Sequence, residues 1–100
     1  MEKLSNKRPG EVLLHEFLEP LEIVVYKLSK DLLIPQTRIS QIIKGNRHVT
    51  ADTSFRLSKY FGNSAKFWLG MQDNYSIEKE KHYKEVELNE INHFENYNVA

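Results

Sequence analysis

Apolar residues recur at helical spacing along this chain, most clearly between Gln36 and Lys44. There Ile39, Ile42 and Ile43 stand at i, i+3 and i+4 and share one face of a short amphipathic helix. Pro35 suits its start, where a missing N–H costs nothing, and Gly45 suits its end, where the chain must turn left-handed. The same periodicity predicts a first helix opening at Pro9, with Leu14, Phe17, Leu18 and Leu21 as one buried stripe. Pro20 should close it near Leu18 or Glu19. A second helix is expected from Val25 to Leu32, with Val25, Leu28 and Leu32 inward and Ser29 small enough for a close crossing. A fourth should run from Ala51 to Phe61, capped by Thr50 and stopped by Gly62, with Leu57 and Phe61 inward. Ser64 caps a fifth, on which Phe67, Trp68, Met71 and Tyr75 form an aromatic-rich face.

After Ser76 the pattern is ambiguous. Glu78 to Glu85 would prolong the helix, whereas Val86 and Leu88, alternating with Glu85, Glu87 and Asn89, suit a short strand equally well. The expected organisation is a flexible tail over 1–8, a domain over 9–76 and an extension over 77–100 available to a partner or a second copy. The fold class is all-α. Five helices, with the second and third joined by the short turn Leu33-Ile34-Pro35, fit a compact helix-turn-helix domain. A sharp turn of this kind usually carries glycine, so Leu33 is a departure that costs about 1 kcal/mol if its φ is positive.

Charge adds a direction to this fold. The 100 residues are formally neutral, with 14 Lys/Arg and 14 Asp/Glu. Residues 1–62 nevertheless hold ten cations against seven acids, and residues 63–100 four against seven, so the front is +3 and the back −3. The polar face of the Gln36–Lys44 helix carries amides, hydroxyls and cations and no carboxylate. That composition suits a polyanion with readable hydrogen-bonding edges, although an ordinary surface helix would also satisfy it. With no cysteine there is neither a disulfide framework nor a thiolate metal site. No apolar run reaches the roughly 20 residues of a membrane span, and Met1 to Glu11 lacks the apolar core of a signal peptide, so a cytoplasmic protein is expected. HEFLE at His15–Glu19 ends in glutamate where a zincin needs its second histidine, and His48, His82 and His93 share no ligand spacing. There is no phosphate-binding glycine loop and no nucleophile elbow, so no catalytic residue, metal or cofactor is expected.

The segment RPGEVLLHEFLEPL, followed by YKLSKDLLIPQTRISQIIKGNRHVTADTSFRLSKYFGNSAKFWLGMQDNY, resembles the HigA-type antitoxins, members of the phage-repressor-like helix-turn-helix group. The resemblance spans Arg8 to Tyr75 and is most specific in PGE, VTAD and FGNSAKFWLGMQDNY. It implies a homodimer that binds operator DNA, represses its own operon and neutralises a cognate toxin, typically a ribosome-dependent mRNA endonuclease. It also implies that Gln36, Thr37 and Gln41 approach base edges, where an amide can bond adenine N6 and N7 together. Arg38, Ser40 and Lys44 would meet phosphate or base, and Arg47 would clamp phosphate. The chain departs from the family at Val24 and Val25, which replace a polar start of helix two and weaken a phosphate contact there. It departs again at Leu33 and at Arg8, which stands where the family has histidine. Two other readings fit: a protein-interaction module that has lost DNA binding, and a stand-alone phage-type repressor without a toxin.

Overall fold

A computed structural model describes residues 7–95. Among these residues the regular structure is entirely helical. We label the helices α1 (Pro9–Val12, Leu13–Leu18 and Glu19–Leu21, in one continuous run), α2 (Val25–Leu32), α3 (Gln36–Lys44), α4 (Ala51–Phe61), α5 (Ala65–Tyr83) and α6 (Glu85–Asn89).

Two expectations about α1 are corrected. The helix continues through Pro20 and ends only where Glu22 turns left-handed, at φ 56°. Its middle, Leu13–Leu18, is π-helical. Widening that stretch relieves the proline ring, whose absent N–H needs no acceptor. The wider turn also changes which residues share a face. Leu13 and Leu18, five apart, are buried, Leu14 and Phe17 are partly buried, and Leu21 is exposed. A 3.6-residue period misses that shift because it assumes uniform α geometry.

The core joins these leucines to Leu28 and Leu32 of α2, Ile39 and Ile42 of α3, Leu57 of α4 and Trp68 of α5, with Ile34 and Val49 from the connecting turns. Trp68 has no exposed surface, and its indole N–H donates to Asn63 Oδ1 at 2.9 Å. Phe17 packs against it at 5.2 Å between ring centroids and against Phe61 at 4.7 Å. Small hydroxyl residues stand where helices come close: Ser29, Thr53, Ser54 and Ser58 are buried. The three serines donate to carbonyls three residues earlier on their own helices, so no polar group is stranded. The expected caps are present, with the Thr53 N–H on Thr50 Oγ1 at 3.2 Å and the Phe67 N–H on Ser64 Oγ at 3.0 Å.

Of the two readings open for Val86 and Leu88, the structure takes the helix. α5 runs unbroken across Ser76 to Tyr83, Lys84 breaks it, and Val86 and Leu88 lie in α6. A two-residue apolar alternation with no partner strand leaves backbone groups unpaired, whereas a helix satisfies them locally. The described chain therefore has six helices rather than five.

The turn between α2 and α3 follows the expected departure. Leu33 sits at φ 63° and ψ 41° with 80% of its surface exposed, and the Ile34 N–H closes the turn on the Ser29 carbonyl. A left-handed residue with a Cβ costs about 1–2 kcal/mol, partly offset by glycine's larger unfolded-state entropy. Leu33→Gly should therefore raise stability by about 0.5–1 kcal/mol in urea titration. A lowered midpoint would mean that the leucine side chain contributes packing larger than its strain.

Candidate nucleic-acid interface

α3 is held from three sides, and each constraint comes from a different part of the chain. Against α1 the two backbones touch. A Cβ placed on Gly10 would lie 2.8 Å from Ile43 Cα and overlap the Ile42 carbonyl, so only glycine allows this crossing. Beside it the Arg8 guanidinium donates to the Ile43 carbonyl at 3.3 Å and covers Gly45, whose φ of 86° ends α3. The Arg8 backbone N–H in turn donates to Glu11 Oε1 at 3.1 Å. The departure at Arg8, which had no evident consequence in the sequence, thus supplies a cation that satisfies a carbonyl of the last α3 turn.

The loop after α3 is fixed by Gln72 of α5. Its carbonyl oxygen accepts the Val49 N–H at 2.6 Å, and its amide donates to the Val49 carbonyl at 2.9 Å. This two-point contact pairs both backbone groups of one residue and sets the course of Asn46–Thr50, and with it the place of Arg47.

α2 is tied to α4 in the same manner. Arg56 donates to the Leu32 carbonyl at 2.8 Å and to Asp52 at 2.9 Å, securing the end of α2 ahead of the left-handed turn. Tyr60 donates to Asp31 at 2.5 Å, and Lys27 donates to the same carboxylate oxygen at 2.9 Å. The Tyr60 hydroxyl, then Lys27, hold the Asp31 carboxyl below the usual carboxylate range. The bond to Asp31 raises the Lys27 ammonium and the Tyr60 hydroxyl in turn. Arg56 and Tyr60 are thus half-buried fasteners.

On this frame α3 turns Ile39 and Ile42 inward and leaves Gln36, Thr37, Gln41 and Lys44 exposed, with Arg38 and Ser40 half-buried on its flanks. Thr37, Gln41 and Lys44 fall at i, i+4 and i+7, a single outward stripe opposite the isoleucines. Arg47, also exposed, stands just beyond Gly45. All seven residues singled out in the sequence are thus on α3 or the loop that follows it. Some cations elsewhere are matched with acids, as Lys27 is with Asp31 and Arg56 with Asp52. Among the described residues, Arg38, Lys44 and Arg47 have no such partner, and no group of three metal-ligating side chains is present.

The residues that sequence reasoning missed are those that position the stripe: Gly10, Arg8, Gln72 and Arg56. Gly10 follows a proline at a helix start, where glycine is unremarkable, and Gln72 lies 23 residues from the loop it holds. Both lie in the segments most specific to the resemblance, PGE and FGNSAKFWLGMQDNY, but nothing in their local sequence shows what they touch.

The turn-linked α2–α3 pair, its outward polar stripe and the helices packed behind it define a helix-turn-helix protein. No protein-family model matches the chain. It is 42% identical over 69 residues to virulence-associated protein I of Dichelobacter nodosus, which aligns over 69% of this chain and 64% of that protein, just under two thirds of the relative's length. A HigA-family addiction-module antidote protein from Coxiella burnetii superposes with a TM-score of 0.82 at 34% identity, covering 89% of this chain and 98% of that one. The Pseudomonas aeruginosa antitoxin HigA, in a structure with the higBA promoter, superposes with a TM-score of 0.82 at 31% identity, covering 87% and 96%. The chain belongs to the HigA antitoxin family.

No helix among the described residues is long and apolar enough to cross a membrane.

Proposed function

We propose that this chain is a DNA-binding antitoxin that represses its own operon and neutralises a cognate toxin, acting in the cytosol without catalysis of its own. The observation that carries the DNA half is the outward stripe of α3: amides, hydroxyls and cations, free of intramolecular partners among the described residues and without one carboxylate. In this reading Gln36, Thr37 and Gln41 meet base edges, while Arg38, Ser40, Lys44 and Arg47 meet base or phosphate. The HigA structure with its promoter supports the same half, and the HigA antitoxin family supports the toxin half.

Specificity and affinity separate within the site. Gln41 faces directly away from the core, where an amide reaches a base, whereas Arg47 lies past the end of α3, where a guanidinium meets phosphate. Gln41→Ala should cost roughly 1–3 kcal/mol on a duplex of the chain's own upstream DNA and little on a scrambled duplex. Arg47→Ala should weaken both alike and flatten the log–log salt dependence by about one unit per copy. Titration of both variants at several salt concentrations decides. Equal losses for Gln41→Ala on the two duplexes, with an operator-only loss for Arg47→Ala, would reverse the two roles. No change for either would remove α3 from the interface and favour the interaction-module reading. The toxin half is tested by co-expression: growth arrest by the product of the adjoining small reading frame should be lifted by this chain, and persistence of arrest would leave a stand-alone repressor.

A second copy completes the reading, because one short helix touches too few bases for operator specificity and paired half-sites lie roughly 34 Å apart. Unpartnered apolar surface is available for that contact. Ile77, Tyr83, Val86 and Ile91 are each more than 60% exposed, and a groove of about 650 Å³ opens between α1 and α5 over Val12, Phe17, Phe67 and Met71. Sedimentation at micromolar concentration should give twice the chain mass of 11.8 kDa, and a monomer with and without DNA would overturn the dimer.

A further inference from the structure

A cleft of about 190 Å³ lies between the C-terminal end of α3 and the middle of α5. Arg8, Lys44, Arg47 and Lys79 line it, and no carboxylate does. The whole chain balances 14 cations with 14 acids, so four cations around one small opening are a strong local excess. They come from the start of α1, the end of α3, the following loop and α5, segments that only the tertiary fold brings together. Like charges that line one opening raise its positive potential, which an anion there would relieve.

The walls of the cleft are fixed. Gln72, which also lines it, holds the loop through both backbone groups of Val49, and Arg8 is anchored on the Ile43 carbonyl. Arg8 also lies 4.0 Å from Glu11, which offsets part of its charge. Lys79 has no acid partner among the described residues. Its ammonium lies 5.8 Å from the centroid of the Tyr75 ring, a contact that orients the side chain without neutralising it. Lys79 is therefore a cation that lines the cleft without an acid partner, and it stands outside the α3 stripe and its loop.

We propose that this cleft is a phosphate site. In the complex with DNA, Lys79 and Arg8 hold a backbone phosphate beyond the base pairs that α3 reaches, extending the contacts of Lys44 and Arg47 onto α5. The proposal rests on the DNA-binding reading above. It adds affinity and register without sequence preference, since phosphate contacts carry no base information.

The test uses the full chain with Lys79→Gln, and with Lys59→Gln as a control of equal charge change at an exposed position of α4 outside the cleft. Both are titrated against the upstream and scrambled duplexes at several salt concentrations. Lys79→Gln should weaken both duplexes by the same factor and reduce the log–log salt slope by about one unit per copy, with an unchanged melting temperature in the absence of DNA. Lys59→Gln should keep the parent slope. A Lys79→Gln slope equal to that of Lys59→Gln overturns the proposal. In that event Gln41→Ala reports separately on the DNA reading, which stands if operator preference is still lost. Failure of the parent to bind either duplex overturns both. A third arm melts the parent and Lys79→Gln in inorganic phosphate against chloride at matched ionic strength. Stabilisation by phosphate that Lys79→Gln abolishes, with the DNA slope unchanged, would assign the cleft to a free phosphate ligand and overturn the backbone assignment.

Discussion

Trp68→Ala should lower the stability of this domain by about 3–5 kcal/mol, enough to leave much of the population unfolded near physiological temperature. Trp68 is fully buried, within 5.0–6.4 Å of the Phe17, Phe61 and Phe67 ring centroids, and its indole N–H is satisfied by Asn63. Truncation removes the largest buried side chain, leaves a cavity where α1, α4 and α5 meet, and strands the Asn63 oxygen. Thermal melting reads this directly. For a domain of this size each kcal/mol moves the midpoint by roughly 4–8 °C, so a fall of at least 12 °C or so is expected. An unchanged midpoint would mean that the ring is exposed in solution and would turn attention to Trp68 as a partner contact.

Gly10→Ala should be nearly as damaging although it adds one methyl group. The new Cβ meets the backbone of Ile42 and Ile43 rather than the flexible end of a side chain, so α1 and α3 must move apart. Overpacking typically costs about 1–3 kcal/mol, and a backbone obstacle puts this case at or above the upper end. Because α3 carries the polar stripe, the variant should also lose DNA affinity beyond what its unfolded fraction explains. Gly70→Ala is the matched control. Nothing lies within 4 Å of its Cβ position, and it is interior to α5, so alanine there should stabilise by about 0.5–1 kcal/mol. Urea titration of the pair gives opposite signs if the α1–α3 crossing is as close as described. Equal, small effects would refute it.

Much of the local architecture is legible from the residues alone. Thr50 and Ser64 cap the helices that follow them, and Gly45 and Gly62 close helices with positive φ. Ile39 and Ile42 turn the polar stripe of α3 outward. Each of these rests on interactions within four or five residues, where side-chain chemistry and backbone geometry are coupled directly. Leu33 belongs with them: its left-handed conformation follows from the need to turn between α2 and α3 with the residue available.

Tertiary structure decided the rest, because the forces involved act between segments with no common period. The π-helical stretch that carries α1 through Pro20 buries Leu13 and Leu18 and sets Phe17 against Phe61 of α4 and Trp68 of α5, contacts that the α-helical repeat does not foretell. The close approach of Gly10 to α3, the hold of Arg8 on Ile43, of Arg56 on Leu32 and of Gln72 on Val49 span 23–35 residues, and no spacing rule connects their ends. The cleft shared by Arg8, Lys44, Arg47 and Lys79 belongs to the same class. The sequence by itself determined which face α3 presents, since an isoleucine stripe must be buried wherever the helix packs. Only the folded chain decided how rigidly that face is held and which distant cations stand beside it, because long-range contacts form where backbones meet and not where a pattern repeats.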